Sequence, residues 1–543
     1  MNAFTIKDKD LAGRIAVLRT RNGDLTTPAF FPVIDLRKQD LPLNEIKDLG
    51  FDNIITNAYF LWRHFREEVL RLGIHKFLNF DGIIMTDSGA YQILRYGNID
   101  VTNREIVEFQ CNMGSDIGVI LDIPTSYDAT REEALRSVRE TLQRAQEVAD
   151  LVSRCSSTLW VLPIQGGVYT DLIKTSAAEA CKIAGYTIYG IGSPVTVMEN
   201  YMFDKLVEMI VAAKSILPPD KPVHLFGAGH PMIIPFAAAL GVDTFDSASY
   251  VLYARDERYM TEGGTYRVNE LDEFPCECPV CSKYSPKDLM ELERSKRVKL
   301  IALHNLHVLI REIKRTRIAI REGRLWEYLE LKSRMHPTLK RAFDTMRRYY
   351  KYIERFDVSS KGIVRALFIY GIESVQRPRV IRRRIRLEQA MLRRLRGQKL
   401  VLVPGVPFDK PYSKSRLVKA LLGSIPRGSE VICIVPPLGY VPLQLSETYP
   451  WSQYESKFVV RRDEIEDVVN LLMEMLYGVI KDVAEITLVN LKNCGWCEYL
   501  VKRLSTEIKV MCRYVDKDIQ IKILEIECCS LYGSSACDSL RLE

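Results

Sequence analysis

The sequence predicts an α/β fold: a (β/α)8 TIM barrel with a metal-binding insertion, followed by smaller α+β C-terminal domains. Three observations carry this. From the N-terminus to about Tyr250, short apolar runs alternate with helical patterns. Most of those runs are continuously apolar, as parallel strands buried on both faces are. Several stop at a polar residue, the place where such barrels put their chemistry. An open doubly wound sheet is the alternative, but no Rossmann glycine fingerprint follows any strand, and Gly227-Ala-Gly229 is an isolated Gly-x-Gly.

In chain order the strands are expected at Phe31 to Asp35, Asn53 to Asn57, Ile83 to Asp87, Ile117 to Asp122, Thr158 to Gln165, Tyr186 to Gly190, Val223 to Phe226 and Thr244 to Ser247. Thr130-Arg-Glu-Glu133 is a capping-box pattern that opens a helix, with Leu135, Val138, Leu142, Ala145, Ala149 and Val152 as its apolar stripe. Ser285 to Asp357 reads as charged helix. The catalytic domain is therefore drawn as residues 1–357, including a helical extension. A basic helical segment and a small α/β domain follow (358–457), with strands at Leu400 to Val403 and Val431 to Val435. The last piece (458–543) is a Cys-rich α+β domain with a helix at Asp463 to Tyr477 and a strand at Ile519 to Ile526.

The chain has 543 residues, 47% apolar and 27% charged, an ordinary globular balance that argues against long disorder. No apolar run approaches the length of a membrane helix, and the N-terminus has no apolar signal core, so a cytoplasmic protein is expected. Charge is uneven. Between Arg377 and Lys399 ten Lys and Arg stand against Glu388 alone, exceeding the whole chain's net +7. Such density is the footprint of a polyanion partner or a solvated helix face, and Arg382, Arg383 and Arg384 are its core.

Thirteen cysteines without a secretion signal argue against a disulfide framework. Cys276-Glu-Cys278-Pro-Val-Cys281 supplies three thiolates within one loop, the pattern of a structural zinc site whose fourth ligand would be His304 or His307. Cys494-Gly-Trp-Cys497 is a lone Cys-x2-Cys, read as buried thiols or a disulfide before a second metal site.

Asp87, Asp122, Gln165, Gly192, Ser193 and Asp246 all lie at strand ends. A single Asp after a strand is commonly a helix N-cap. Polar ends on five separate strands of one barrel would instead converge on one face, giving three carboxylates, an amide and close-approach glycine. That inventory suits chemistry at an anomeric carbon: one carboxylate attacks the sugar and another protonates the leaving group. The third carboxylate and the amide can read the edge of a purine-like base, on which Tyr91 can stack. A phosphate-handling barrel competes, but would want Gly-rich loops and Lys or Arg after the last strands.

Thr86-Asp-Ser-Gly-Ala-Tyr-Gln92, Phe245-Asp-Ser-Ala-Ser-Tyr250, the Cys-x-Cys-x2-Cys loop and Leu303-His-Asn305 resemble the tRNA-guanine transglycosylases over roughly residues 10–310. The chain is most similar to the archaeal archaeosine branch, in its Gly190-Ile-Gly-Ser-Pro194 loop and its length beyond the metal loop. The resemblance implies exchange of guanine 15 in the tRNA D-loop for 7-cyano-7-deazaguanine (preQ0). It implies Asp246 as nucleophile and Asp87 as acid/base. Asp122, Gln165, Gly192, Ser193, Ser88 and Tyr91 are implied at the bases, and Cys276, Cys278, Cys281 and His304 as ligands of one structural zinc. The implied partners are tRNA, preQ0 and a second copy of the chain. Archaeal members usually end in an RNA-binding PUA domain; the last 80 or so residues lack its glycine-containing β pattern, so a separate PUA protein is a possible helper. A queuosine-type enzyme acting on the anticodon, an archaeosine synthase and a non-catalytic tRNA-binding subunit are the competing functions. An intact Asp87–Asp246 pair speaks against the last two.

Overall fold

The structure is a computed structural model describing residues 3–90, 100–362, 366–395, 399–457, 460–533, 540 and 542. It divides into two compact units, Met1–Val358 and Ser359–Glu543.

The first unit opens with an antiparallel sheet that the sequence reading did not anticipate: β1 (Phe4–Asp10), β2 (Gly13–Thr20) and β3 (Gly23–Thr27). Strands β4 (Ala29–Ile34), β5 (Asn53–Asn57), β6 (Ile83–Asp87), β7 (Ile117–Val119), β8 (Leu159–Ile164), β9 (Ile188–Ile191), β10 (Val223–Leu225) and β11 (Thr244–Ser247) then close into a parallel barrel in chain order, β11 pairing with β4. Each expected strand is found, so the barrel reading holds and the open sheet is excluded. The predicted capping box is present: Thr130 accepts from Glu133 N, and Glu133 reaches back to Thr130 N.

Two acids anchor the N-terminal face of the barrel. Asp243 takes both arms of the Arg14 guanidinium at 2.7 Å and the Val223 N–H at 2.7 Å, while Asp116 holds Ile84 N at 2.8 Å. Fully paired charges of this kind fix strand register at modest net gain in stability. The C-terminal face is left to the chemistry. A hairpin, β12 (Arg258–Met260) and β13 (Thr265–Arg267), and the long helix Arg294–Glu322 follow the barrel. One disulfide, Cys111–Cys155, lies in this unit.

In the second unit, β14 (Leu367–Ile369) pairs with β18 (Tyr454–Ser456). The main sheet contains β15 (Lys399–Pro404), β16 (Ser429–Val435), β17 (Gly439–Pro442), β19 (Glu485–Lys492) and β20 (Gln520–Glu527) in the order β17-β16-β15-β19-β20. The boundary expected at 457/458 cuts through this sheet. Strand β15 pairs in parallel with both β16 and β19, so strands from the two expected domains share one layer and one apolar core. Composition changes near 457, but hydrogen-bonded pairing does not.

Among the described residues no helix is long and apolar enough to cross a membrane.

Candidate active site and metal centre

A cavity of about 760 Å³ opens at the C-terminal mouth of the barrel, and Asp87, Asp122, Gln165, Gly192, Ser193 and Asp246 all line it. The strand ends bring them there, because parallel strands all present their C-termini to one face. Ser88 does not line the cavity. Its side chain is fully buried. Tyr91 lies outside the described residues.

Asp246 is no helix cap. The helix Ser249–Arg255 is preceded by Ala248, while Asp246 Oδ1 takes hydrogen bonds from Gly227 N at 2.8 Å and from His224 Nε2 at 3.1 Å. Across the mouth, Asp87 is pushed up to about 7, first by burial and then by the nearby charges of Asp122 and Asp246. Two like charges close together oppose a third, so one proton is retained. Asp122 is raised to about 6 by burial, a rise tempered by its bond to Gln165. Both acids are thus pushed toward neutrality, and Asp87, which faces two other carboxylates, is pushed further.

Gln165 and Asp122 form a fixed edge. Gln165 Nε2 donates to Asp122 Oδ2 at 2.5 Å, and Gln165 Oε1 accepts from Ser193 Oγ at 2.9 Å. Ser193 Oγ itself accepts from Thr125 N at 2.7 Å. This chain of donors settles which way the amide faces. Gly192 is required beside it: a Cβ there would lie 2.3 Å from Gln165 Nε2. Ser193 follows in the left-handed region at φ 62°, a strained setting for a residue with a side chain. The edge offers a carboxylate acceptor next to an amide donor, the complement of a guanine-like edge.

The sequence reading missed His224, Gly227 and Thr125. A histidine inside the apolar strand β10 was the available signal for the first, since buried polar groups need partners.

Away from the cavity, Cys276, Cys278, Cys281 and His304 bring four ligand atoms within 4.8 Å of one another. His304 Nδ1 lies 3.4 Å from Sγ of both Cys278 and Cys281, and those sulfurs are 3.5 Å apart. Thiolates on a tetrahedral zinc-sized ion sit about 3.8 Å apart, so the donor set and spacing fit a closed four-coordinate metal. His304 Nε2 bonds to Met260 O at 2.9 Å, which leaves Nδ1 for the metal, and the Tyr259 ring stacks on the imidazole at 3.7 Å. His307 is outside this group. Asn305 fastens the long helix to the hairpin by accepting from Met260 N at 2.9 Å, and to the helix Ser249–Arg255 by donating to Tyr250 O at 3.0 Å.

The basic segment becomes the helix Pro378–Arg394, and its charge is only partly on the surface. Arg384, expected at phosphate, is a correction. Its guanidinium is folded into the second unit, donating to the carbonyls of Leu438 at 2.8 Å and Pro437 at 2.5 Å and lying 3.4 Å from Asp467. Arg377 and Arg379 are also buried. A residue count sees charge but not direction. Arg382, Arg383 and Arg386 line a recess with Thr448 and Trp451. Cys494 and Cys497 are buried and unlinked, with Sγ atoms 2.8 Å apart.

Comparison with known proteins agrees with this geometry. The family profile described as queuine tRNA-ribosyltransferase matches residues 8–338, and one described as a domain of unknown function matches residues 380–520. A tRNA-guanine(15) transglycosylase of Aeropyrum pernix is 47% identical over 455 residues, covering 83% of this chain and 87% of the relative. Proteins of the same name from Sulfolobus acidocaldarius (44%, covering 87% and 92%) and Saccharolobus solfataricus (42%, covering 91% and 98%) are similar along nearly their whole lengths. The chain belongs to the queuine tRNA-ribosyltransferase family.

Proposed function

We propose that the chain is a tRNA-guanine(15) transglycosylase that replaces guanine 15 of the D-loop by 7-cyano-7-deazaguanine. The observation that carries this is the division of labour among three carboxylates at one barrel mouth. Asp87 is raised to about 7 and can exchange a proton near neutrality, Asp122 is tied into a base-reading edge, and Asp246 is oriented by two donors. The whole-length similarity to proteins of that name supports the same substrate.

In the first half-reaction Asp246 attacks C1′ of the ribose. The C1′–N9 bond breaks, its electron pair leaves with the purine, and Asp87 supplies the proton that makes guanine neutral. In the second half Asp87, now a carboxylate, takes the N9 proton of the incoming deazaguanine. N9 attacks C1′, the ribosyl ester breaks and the Asp246 carboxylate returns. Two inversions retain the sugar configuration. Asp122 accepts from the amino edge of either base, and Gln165 donates to its carbonyl or equivalent acceptor.

Guanine 15 is stacked inside folded tRNA, so it has to be extruded before its glycosidic bond is accessible. Contacts to the remaining tRNA offset that cost, and Arg382 and Arg383 are proposed among them. The four-ligand centre takes one zinc ion, which folds the insertion and has no step in the exchange.

The test is direct: incubate the protein with radiolabelled guanine and unmodified tRNA, then map the label. Label at position 15 is expected. Label confined to the anticodon would instead favour the queuosine-type reading.

A further inference from the structure

We propose that His224 is a positioning residue that aims the nucleophile, an inference resting on the reading of Asp246 as the group that attacks C1′. His224 sits inside the barrel strand β10 and is completely buried. Its strand neighbours Val223 and Leu225 are apolar and fully buried, so His224 is the polar residue of that strand. Its ring packs against two phenylalanines. Phe226 meets it edge-on with centroids 4.5 Å apart, and Phe31 does so at 6.4 Å.

Each ring nitrogen has one defined partner. Nδ1 lies 2.9 Å from the hydroxyl of Thr244, and Nε2 lies 3.1 Å from Asp246 Oδ1. Thr244 and Asp246 are alternate residues of β11, so both point the same way along one strand. When the threonine hydroxyl donates to Nδ1, the proton of a neutral imidazole resides on Nε2, and that N–H donates to the carboxylate. Gly227 N adds a second donor to the same oxygen at 2.8 Å. With Oδ1 held by two donors, rotation of the carboxylate is blocked and Oδ2 is the oxygen presented to C1′. Orientation of this kind is worth a great deal: a misplacement of 1 Å costs about a hundredfold in rate.

His224→Asn and His224→Gln separate positioning from packing. The shorter amide reaches the Nδ1 position and Thr244 but not Asp246. The longer one places its nitrogen near the Nε2 position. Both are measured for kcat, for KM toward tRNA and guanine, for melting temperature, and for a denaturation-resistant tRNA–protein adduct, beside Asp246→Asn. We expect His224→Asn to lower kcat at least about tenfold and slow adduct formation in parallel, with both KM values within about twofold. His224→Gln should recover most of the rate, although the two variants melt alike. If Asp246→Asn lacks the adduct while His224→Asn exchanges base at the wild-type rate, His224 has no positioning role. An unrescued loss that follows melting temperature in both variants overturns it as well. An adduct that persists in Asp246→Asn instead removes the nucleophile reading on which this inference rests.

Discussion

The hydroxyl of Ser193 donates to Gln165 Oε1 at 2.9 Å, the shorter of two donors that hold the amide oxygen away from Asp122 and turn its nitrogen toward it. Removing it leaves only the longer bond from Thr125 Oγ1, at 3.3 Å, on that oxygen and loosens the amide. Ser193→Ala should therefore raise KM for guanine and for preQ0 about three- to tenfold, the worth of one neutral hydrogen bond. KM for tRNA should stay near its original value. Steady-state exchange kinetics with each substrate varied in turn check this, and an unchanged KM for both bases contradicts it.

Exchange should follow a bell-shaped pH profile. Asp122 has to be ionised to accept from the base, so the rate rises with pH through about 6. Asp87 has to be protonated to release guanine, so the rate falls as pH climbs through about 7. The two limbs are macroscopic values of a coupled set. Asp122→Asn removes one of the charges that holds Asp87 up, so its residual activity should lose the rising limb and show the falling limb at lower pH. A falling limb that stays in place would mean that Asp122 does not act on Asp87.

The metal centre should be structural. The purified protein should hold about one zinc per chain, and Cys278→Ala should lose the metal and melt at lower temperature. Because no step passes through the ion, refilling the metal-stripped wild-type protein with cobalt should restore both stability and exchange. Metal-free protein with full stability and activity would contradict the assignment.

The basic helix should split into two classes. Replacing Arg382 and Arg383 together by Ala should weaken tRNA binding and reduce the log–log salt slope by up to about two. Arg384→Ala should leave the slope alone and destabilise the second unit, because it strands the carbonyls of Pro437 and Leu438 that the guanidinium now serves. Salt titrations and thermal melts on both variants separate these outcomes.

Much of this was legible in the chain. Continuous apolar runs with Asp87 and Asp246 at their ends gave the barrel strands and the mouth, because parallel pairing puts all C-termini on one side. Spacing alone nominated three thiolates, yet choosing His304 over His307 needed the resemblance, and the Met260 carbonyl explains it physically. What was not legible depends on contacts between distant residues. His224 reads as an ordinary buried residue until Asp246 is seen beside it. Ser88 follows a site residue but is fully buried, and Arg384 belongs to a basic run yet points inward. The sheet that joins β15 to β19 likewise rests on pairing across the helix Arg462–Tyr477, which no local pattern announces.

The central claim is that Asp246 carries the ribosyl intermediate while Asp87 moves the proton. Its most direct test is the tRNA–protein adduct that survives denaturation, measured in Asp246→Asn and Asp87→Asn with tRNA binding as the control. Asp246→Asn should bind tRNA, form no adduct and exchange no base. An adduct that persists in Asp246→Asn and vanishes only in Asp87→Asn would contradict it and exchange the two roles.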